Sequence, residues 1–206
     1  MKDWVSDHPK AKLMAQKRTA ILEASRESFL RHGYGGTSME SIADLAGISI
    51  MTLYRHAENK DDLFSTVVTA ACSEEEKAEL KKLTTESLGE NLTAAAMLIQ
   101  QKLADPQTVA LLRAVMGEVA RFPQLADMTY KSLIGHFEIT VEQLLSEHPE
   151  SLGVRPSRRR DLSVGFVDQL VGADVFRTLL GLAGATPGEQ LRRAERARDG
   201  VLSAIR

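Results

Sequence analysis

The clearest functional motif in this sequence lies between positions 37 and 60. A small residue, Ala43, is followed four positions later by Gly47, and Leu53 comes six positions after that glycine. This spacing is typical of a helix-turn-helix, in which a small side chain lets two helices cross closely and a glycine adopts the positive φ of the turn. The second helix of such a unit exposes polar side chains that can enter the major groove of DNA. Spacing alone leaves open a helical corner that binds nothing.

The elements around this segment are predicted to be helices throughout. Apolar residues recur at helical spacing, and the alternation that is typical of strands is almost absent. The first twelve residues are polar and charged, and we expect them to form an N-terminal arm. The pattern predicts an all-α fold of about nine helices: residues 12–32, a helix opened by Thr37, 49–56, a helix begun at Lys60, 89–104, 106–120, 124–147, 158–182 and 187–205.

Several helix ends carry recognisable signals in the sequence. Gly33 is expected to end the first helix, because a glycine there can adopt the left-handed conformation. Thr37 and Glu40 have the spacing of a capping box that opens the second helix. Side-chain caps are also predicted at the starts of the third, fourth and last helices, at Ser49, Asn59 and Thr186.

Composition and motifs exclude several classes of protein. The 206 residues carry 26 basic and 28 acidic side chains, so a protein that coats nucleic acid by bulk charge is excluded. Residues 8–60, however, hold eight Lys or Arg against five Asp or Glu, a net charge of +3. Nucleophile, P-loop and paired-cysteine motifs are absent and the five histidines lack metal-ligand spacing, so we predict no enzyme activity, metal or cofactor. Because Cys72 is the single cysteine and no apolar run is long enough for a membrane span, we expect a cytoplasmic protein.

A series of short motifs covers most of residues 20–64. They are Gly33-Tyr34, Thr37-Ser38-Met39, Ile42-Ala43, Ala46-Gly47-Ile48-Ser49, Thr52-Leu53-Tyr54, His56 and Lys60. Together they resemble the DNA-binding domain of the TetR family of bacterial transcriptional regulators. The resemblance implies an all-α homodimer, with an arm and a three-helix helix-turn-helix domain in residues 1–58. A larger helical domain for ligand binding and dimerisation would occupy residues 59–206.

The resemblance also implies which residues contact DNA. Four polar residues would touch phosphates: Thr37, Tyr54, His56 and Lys60. Five residues of the third helix complete the predicted DNA-binding set: Ser49, Ile50, Met51, Thr52 and Arg55. Ile50-Met51 stands where the family commonly has Lys-Gly, so apolar contacts with thymine methyl groups are expected at these two positions.

The C-terminal part resembles a branch of the same family, the AefR-like regulators, through Leu112-Arg113, Glu118 and Arg121-Phe122-Pro123. Its methionines and aromatic residues are suited to an adaptable apolar pocket, and ordinary core packing is the alternative. The predicted ligand-binding set is Met97, Met116, Phe122, Met128, Tyr130, Phe137, Phe166 and Asp168. Because buried carboxylates need partners, Asp168 and Asp174 are expected to pair with an arginine such as Arg113 or Arg177, or to face a ligand cavity.

The predicted helix 158–182 is apolar on nearly all sides, so it must be covered on most sides. We predict that it pairs with helix 187–205 and their copies in a two-fold, four-helix dimer interface; a monomeric core is the alternative. The predicted interface residues are Phe166, Leu170, Ala173, Phe176, Leu180, Leu191, Ala194, Val201, Leu202 and Ile205.

These features predict a regulator that binds double-stranded DNA. The resemblance implies a repressor that binds a palindromic operator as a homodimer. A small apolar or amphipathic effector is expected to release it, through a change in the spacing of the two recognition helices. The alternative is a DNA-binding regulator that is controlled by a protein partner.

Overall fold

The computed structural model describes residues 9–70 and 87–205, and within these ranges it is all-α. Residues 1–8 of the predicted arm and Cys72 lie outside the described residues. The described helices, numbered here in chain order, are α1 (Pro9–Gly36), α2 (Met39–Leu45), α3 (Ile50–Leu53), α4 (Lys60–Ala70), α5 (Leu88–Ala104), α6 (Pro106–Glu118), α7 (Gln124–Glu147), α8 (Pro156–Leu179) and α9 (Pro187–Ile205). A short 3₁₀ helix, Pro149–Ser151, joins α7 to α8. The all-α prediction is therefore confirmed.

Helix α1 begins earlier than predicted, at Pro9, and helical structure resumes briefly after a break at Gly33. The break has φ 69° and ψ 174°, a backbone conformation that is essentially restricted to glycine. The apolar face of α1 is buried through Ile21, Ala24 and Phe29. Full burial of one such side chain stabilises a fold by about 1.5–3 kcal/mol, so this face fixes α1 against its neighbours.

The capping box predicted at Thr37 and Glu40 is wrong by one residue. The N-cap of α2 is Ser38, whose hydroxyl accepts a hydrogen bond from the Ser41 amide at 3.1 Å. In return, the Ser41 hydroxyl accepts from the Ser38 amide, also at 3.1 Å. Thr37 cannot serve as the cap because its side chain is turned inward, where its hydroxyl donates to the Gly33 carbonyl at 2.8 Å.

The other three predicted caps are confirmed. The Ser49 hydroxyl accepts from the Thr52 amide at 3.2 Å, and the Asn59 side-chain oxygen accepts from the Asp62 amide at 2.8 Å. At α9 the Thr186 amide donates to the Glu189 carboxylate at 2.8 Å. The Glu189 amide donates back to the Thr186 hydroxyl at 3.4 Å, which completes a capping box.

Helix α4 connects the two ends of the molecule. It packs against α1 on one side and against α7 on the other, through the buried residues Leu63, Phe64 and Val67. Helix α9 packs against α5 and α8, and α8 also packs against α7. One apolar core runs through all these contacts, from Ile21 to Val201. A shift of the C-terminal helices can therefore reach α1 through α4.

Helix α8 is not the single continuous helix that the sequence predicts. It runs from Pro156 to Leu179 and is interrupted at Gly172, with φ 24° and ψ −172°. Before this break Phe166 and Leu170 are buried, and after it Phe176 is exposed. The break therefore divides α8 into a first segment with fully buried apolar side chains and a second segment in which Val175 packs against the core and Phe176 is exposed.

Candidate DNA-binding site

The helix-turn-helix has the geometry that its spacing predicts. Gly47 has φ 65°, and the Ile48 amide closes the turn by donating to the Ala43 carbonyl at 3.0 Å. Ile42 and Leu53 are completely buried, so they fix α3 against the helices beneath it. The turn thus holds α3 in one orientation relative to α2.

Helix α3 presents a mixed surface of polar and apolar side chains. Met51 is 67% exposed and Tyr54, which directly follows the helix, is 48% exposed. The Ser49 and Thr52 hydroxyls lie 2.8 Å apart and form a hydrogen bond at the start of the helix. Ile50 is only partly exposed and packs against the core, so Met51 offers the larger apolar surface to a base pair.

Lys60 and Thr37, which the resemblance assigns to phosphates, already have partners inside the chain. The Lys60 ammonium donates to the carbonyls of Tyr34 at 2.9 Å and Thr37 at 3.0 Å, and it lies 4.3 Å from the centre of the Tyr34 ring. Burial lowers the pKa of Lys60, and the negative charge of Glu118 partly opposes that shift. Thr37 is only 3% exposed. Their contact with phosphates stays a prediction.

The turn after Gly33 is packed against the segment that follows α6. The Tyr34 ring contacts Phe122, with ring centres 5.1 Å apart, and it also contacts Phe29 and Phe64 at 5.9 and 5.5 Å. The Tyr34 hydroxyl donates to the Asp61 carboxylate in α4. Aromatic contacts of this kind add about 0.5–1.5 kcal/mol each beyond the burial of apolar area.

Two glycines allow this close packing between the turn and α6. A Cβ atom at Gly33 would collide with the Glu118 carboxylate. A Cβ atom at Gly35 would lie 3.0 Å from the Phe122 ring, which is tighter than an ordinary contact. Sequence reasoning missed this junction, although the glycine-rich turn and Arg121-Phe122-Pro123 are its visible signals.

The predicted ligand-binding residues differ in how far they are buried. Phe137 and Phe166 are buried, and Met97, Phe122 and Met128 are partly buried, whereas Met116, Tyr130 and Asp168 are exposed. A small cavity of about 20 Å³, bordered by Gln100, Leu170 and Arg193 among others, lies between α5, α8 and α9. None of the eight predicted residues lines this cavity, which has room for about one water molecule.

Of the two aspartates of α8, Asp174 pairs with an arginine as expected, although the arginine is not one of the two that were named. Asp174 pairs with Arg193 of α9, and neither Arg113 nor Arg177 is its partner. Arg113 instead donates to the carbonyls of Thr178 and Leu179 at 2.8 and 2.9 Å, near the end of α8. Sequence spacing could not identify Arg193, because α8 and α9 meet only in the folded chain. Asp168 is exposed.

The predicted dimer residues fall into two groups. Four are buried within the chain's own core: Phe166 and Leu170 of α8, and Ala194 and Val201 of α9. In this core α8 packs against α5, α7 and α9. These four side chains have no surface left for a second subunit. The other six are exposed or partly exposed: Ala173, Phe176, Leu180, Leu191, Leu202 and Ile205.

Comparison with known proteins identifies relatives along most of the chain. Residues 21–67 match the family model of the bacterial regulatory proteins of the tetR family. Residues 90–151 match the model of the C-terminal domain of the AefR-like transcriptional repressors. Over the described residues, no helix is sufficiently long and apolar to span a membrane, and no group of side chains could hold a metal ion.

Individual relatives are transcriptional regulators, a class of proteins that are not enzymes. The HTH-type transcriptional regulator YhgD of Bacillus subtilis is 36% identical over 58 residues, which is 28% of this chain and 30% of YhgD. Rv1556 of Mycobacterium tuberculosis, another HTH-type transcriptional regulator, is 24% identical over 164 residues, 80% of this chain and 77% of that protein.

Solved structures share the fold over nearly the whole length. The flavonoid-responsive regulator FrrA has a TM-score of 0.67 and 25% identity, with 92% of this chain and 97% of FrrA covered. A TetR transcriptional regulator from Agrobacterium tumefaciens has a TM-score of 0.66 and 20% identity, with 91% and 93% covered.

Proposed function

The chain belongs to the TetR family of transcriptional regulators and binds DNA, and from this premise we propose that it is a homodimeric repressor of a palindromic operator. It would act in the cytoplasm and be released from DNA by a small apolar or amphipathic effector. The observation that carries the proposal is the helix-turn-helix, in which a buried Leu53 holds α3 while Met51 and Tyr54 remain exposed. These two side chains are free to contact base edges and phosphates.

A dimer would give the two copies of α3 the spacing that a palindrome requires. Half-sites bound by such dimers lie about 34–36 Å apart, one turn of the DNA helix. The exposed apolar residues beyond the break in α8 support a subunit interface, since Phe176 and Leu180 are 59% and 62% exposed. Phe176, Leu180 and Leu191 are therefore the proposed centre of the interface.

The junction at Tyr34 offers a route by which an effector would act on DNA binding. The C-terminal helices touch the DNA-binding part through the contact of Phe122 with Tyr34 and through the packing of α7 on α4. An effector that binds better to one arrangement of these helices shifts the dimer toward that arrangement. By linkage, DNA weakens effector binding by the same factor by which the effector weakens DNA binding.

The effector itself would be a small organic molecule. FrrA responds to flavonoids, as its name states, and this similarity supports a small-molecule effector for the present chain. The cavity of about 20 Å³ between α5, α8 and α9 favours the alternative, a protein partner, because it is too small for such a molecule. Under the proposal the C-terminal helices must separate to admit the effector.

One experiment tests DNA binding and the type of regulator together. Duplexes that the full chain binds are selected from a pool of random sequences. The selected duplex is then used in mobility shifts with a panel of flavonoids and fatty acids. Selection of a palindrome and its release by one compound class are the expected results. Met51→Ala should change the selected sequence, whereas Leu30→Ala, an exposed residue of α1, should not. Selection of no palindrome would contradict the proposal, and failure of every compound would favour the protein-partner alternative.

A further inference from the structure

A cleft of about 260 Å³ lies between α1, the residues that follow α3, and α4. Its charged rim is formed by Arg18 of α1 together with Arg55 and His56. All three side chains are exposed. Residues 55 and 56 come directly after Tyr54, so the cleft continues the surface that α3 exposes.

No described carboxylate balances the positive charges of this cleft. No carboxylate borders the cleft among the residues that the structure describes. Arg18 and Arg55 form no ion pair with any described residue, unlike Arg31, which pairs with Glu27 at 3.0 Å. Two guanidinium groups at one cavity without a counter-charge repel each other, and an anion bound between them removes that repulsion. Arginine also suits phosphate in particular, because its planar group donates two parallel hydrogen bonds.

The floor of the cleft is mostly apolar. It is formed by Ile21 and Leu22 of α1 and by Leu63 of α4, of which Ile21 and Leu63 belong to the buried core. Thr66 also borders the cleft, and its hydroxyl donates to the Asp62 carbonyl within α4. An apolar floor below a cationic rim fits a sugar–phosphate unit, whose deoxyribose offers C–H groups and whose phosphodiester carries the charge. A free inorganic anion has no apolar group that could pack against this floor.

We propose that this cleft binds a phosphodiester of the DNA backbone beside the bases that α3 contacts, and that Arg18 is a DNA-binding residue. The proposal rests on the proposed function and adds to it a contact from α1 that the resemblance does not assign. Because the floor of the cleft is part of the core, a phosphate held there is fixed relative to α3. The contact sets the position of α3 along the groove and carries no sequence preference.

The dependence of DNA binding on salt concentration tests the role of Arg18. Each phosphate that a protein neutralises contributes about 0.9 to the slope of log K against log salt concentration. Arg18→Gln should therefore lower the magnitude of that slope by about 0.9 per protomer and weaken binding by about tenfold at low salt. The probe is a fluorescein-labelled duplex of random sequence, since a backbone contact does not depend on sequence.

Two matched variants separate the cleft from general charge effects. Arg31→Gln removes the same charge from the same helix outside the cleft, and it should leave the slope as in the wild type. Arg18→Lys keeps the charge without the paired hydrogen bonds, so it should keep the slope and lose only part of the affinity. Thermal unfolding of each variant excludes a change in stability as the cause.

The possible results are distinguishable. A slope that falls for Arg18→Gln alone supports the proposal. Equal slopes for wild type and Arg18→Gln, or equal losses for Arg18→Gln and Arg31→Gln, overturn it while the proposed function stands. Absence of DNA binding by the wild-type protein at low salt overturns both.

Discussion

At the scale of single residues, the predicted DNA contacts differ in how freely their side chains can reach a ligand. Tyr54, Arg55 and His56 are exposed, whereas Lys60 is bonded to two carbonyls and Thr37 is buried. A residue type at a motif position indicates a capacity to bind phosphate, and the fold decides whether another group already uses that capacity. Lys60 in particular stabilises the turn that carries Tyr34.

The Tyr54 hydroxyl is a suitable group for a phosphate contact, because its side chain is half exposed at the end of α3. Tyr54→Phe should weaken binding of all duplexes by a similar factor, about 2- to 10-fold, which corresponds to the loss of one hydrogen bond. Ile50→Ala, in contrast, should change the order of preference among duplexes. Mobility shifts on a set of related operators measure both effects. Unchanged affinity for Tyr54→Phe would count against its assignment.

The ionisation of Lys60 reports on the junction between the two parts of the chain. Burial lowers its pKa and the negative charge of Glu118 raises it, so Glu118→Gln should lower the pKa of Lys60 further. A pH titration of the Lys60 side chain by NMR measures this shift. Glu147→Gln, at the end of α7, is the control and should leave the titration as it is. A pKa of Lys60 that does not respond to Glu118→Gln would show that the two charges do not interact.

At the scale of elements, the important unit is the turn between α1 and α2. It is held by Gly33 in a conformation restricted to glycine and is covered by Phe122 after α6. A second glycine break, at Gly172, changes the direction of α8, so that Phe176 is exposed while Val175 still packs against the core. The sequence predicts the end of a helix at Gly33, whereas Gly172 lies inside a stretch predicted to be one continuous helix, and each break changes which part of the molecule the following residues meet.

The packing of this turn can be tested with two adjacent glycines. Gly35→Ala places a methyl group 3.0 Å from the Phe122 ring, so the ring or the turn must shift by a few tenths of an ångström. We expect a loss of about 1–3 kcal/mol in the free energy of unfolding, as is usual for overpacking. The control is Gly36→Ala, whose methyl group would lie at an ordinary 3.4 Å from the nearest side chain.

Urea denaturation of the two variants measures the difference. If both variants are equally stable, the turn is not tightly packed against Phe122. Gly35→Ala should also alter the release of DNA by an effector, because it disturbs the contact through which the effector would act.

At the scale of the whole molecule, the exposed apolar residues beyond Gly172 are the clearest sign of an interaction surface. Large exposed apolar patches mark interaction surfaces in folded proteins. Ala173 and Phe176 after the break in α8, and Leu180 directly after the helix, are spaced about one helical turn apart, and Leu191 of α9 is also exposed. A second copy of the chain would remove these side chains from water.

The subunit interface is tested by a charge placed at its centre. Phe176→Arg should convert the dimer into a monomer of 22.6 kDa, because an arginine without a partner would be buried in the interface. Sedimentation equilibrium at micromolar concentration measures the mass. Ile139→Arg, at an exposed position of α7, should leave the dimer intact. A monomeric wild-type protein, or a dimer that tolerates Phe176→Arg, would contradict the predicted interface.

The sequence by itself determined the features that depend on neighbours along the chain. The helical periods, the caps at Ser49, Asn59 and Thr186, and the turn at Gly47 each arise from contacts within a few residues, so their spacing was sufficient. The family also followed from such local motifs.

Only the tertiary structure decided which side chains are covered and which remain available. Burial of Phe166 and Leu170, the partner of Asp174, and the internal bonds of Lys60 all depend on which helices meet after folding. Apolar and charged residues look alike in sequence whether they face the chain's own core or a partner. The physical reason is that burial is a property of three-dimensional packing, to which residues from distant parts of the chain contribute.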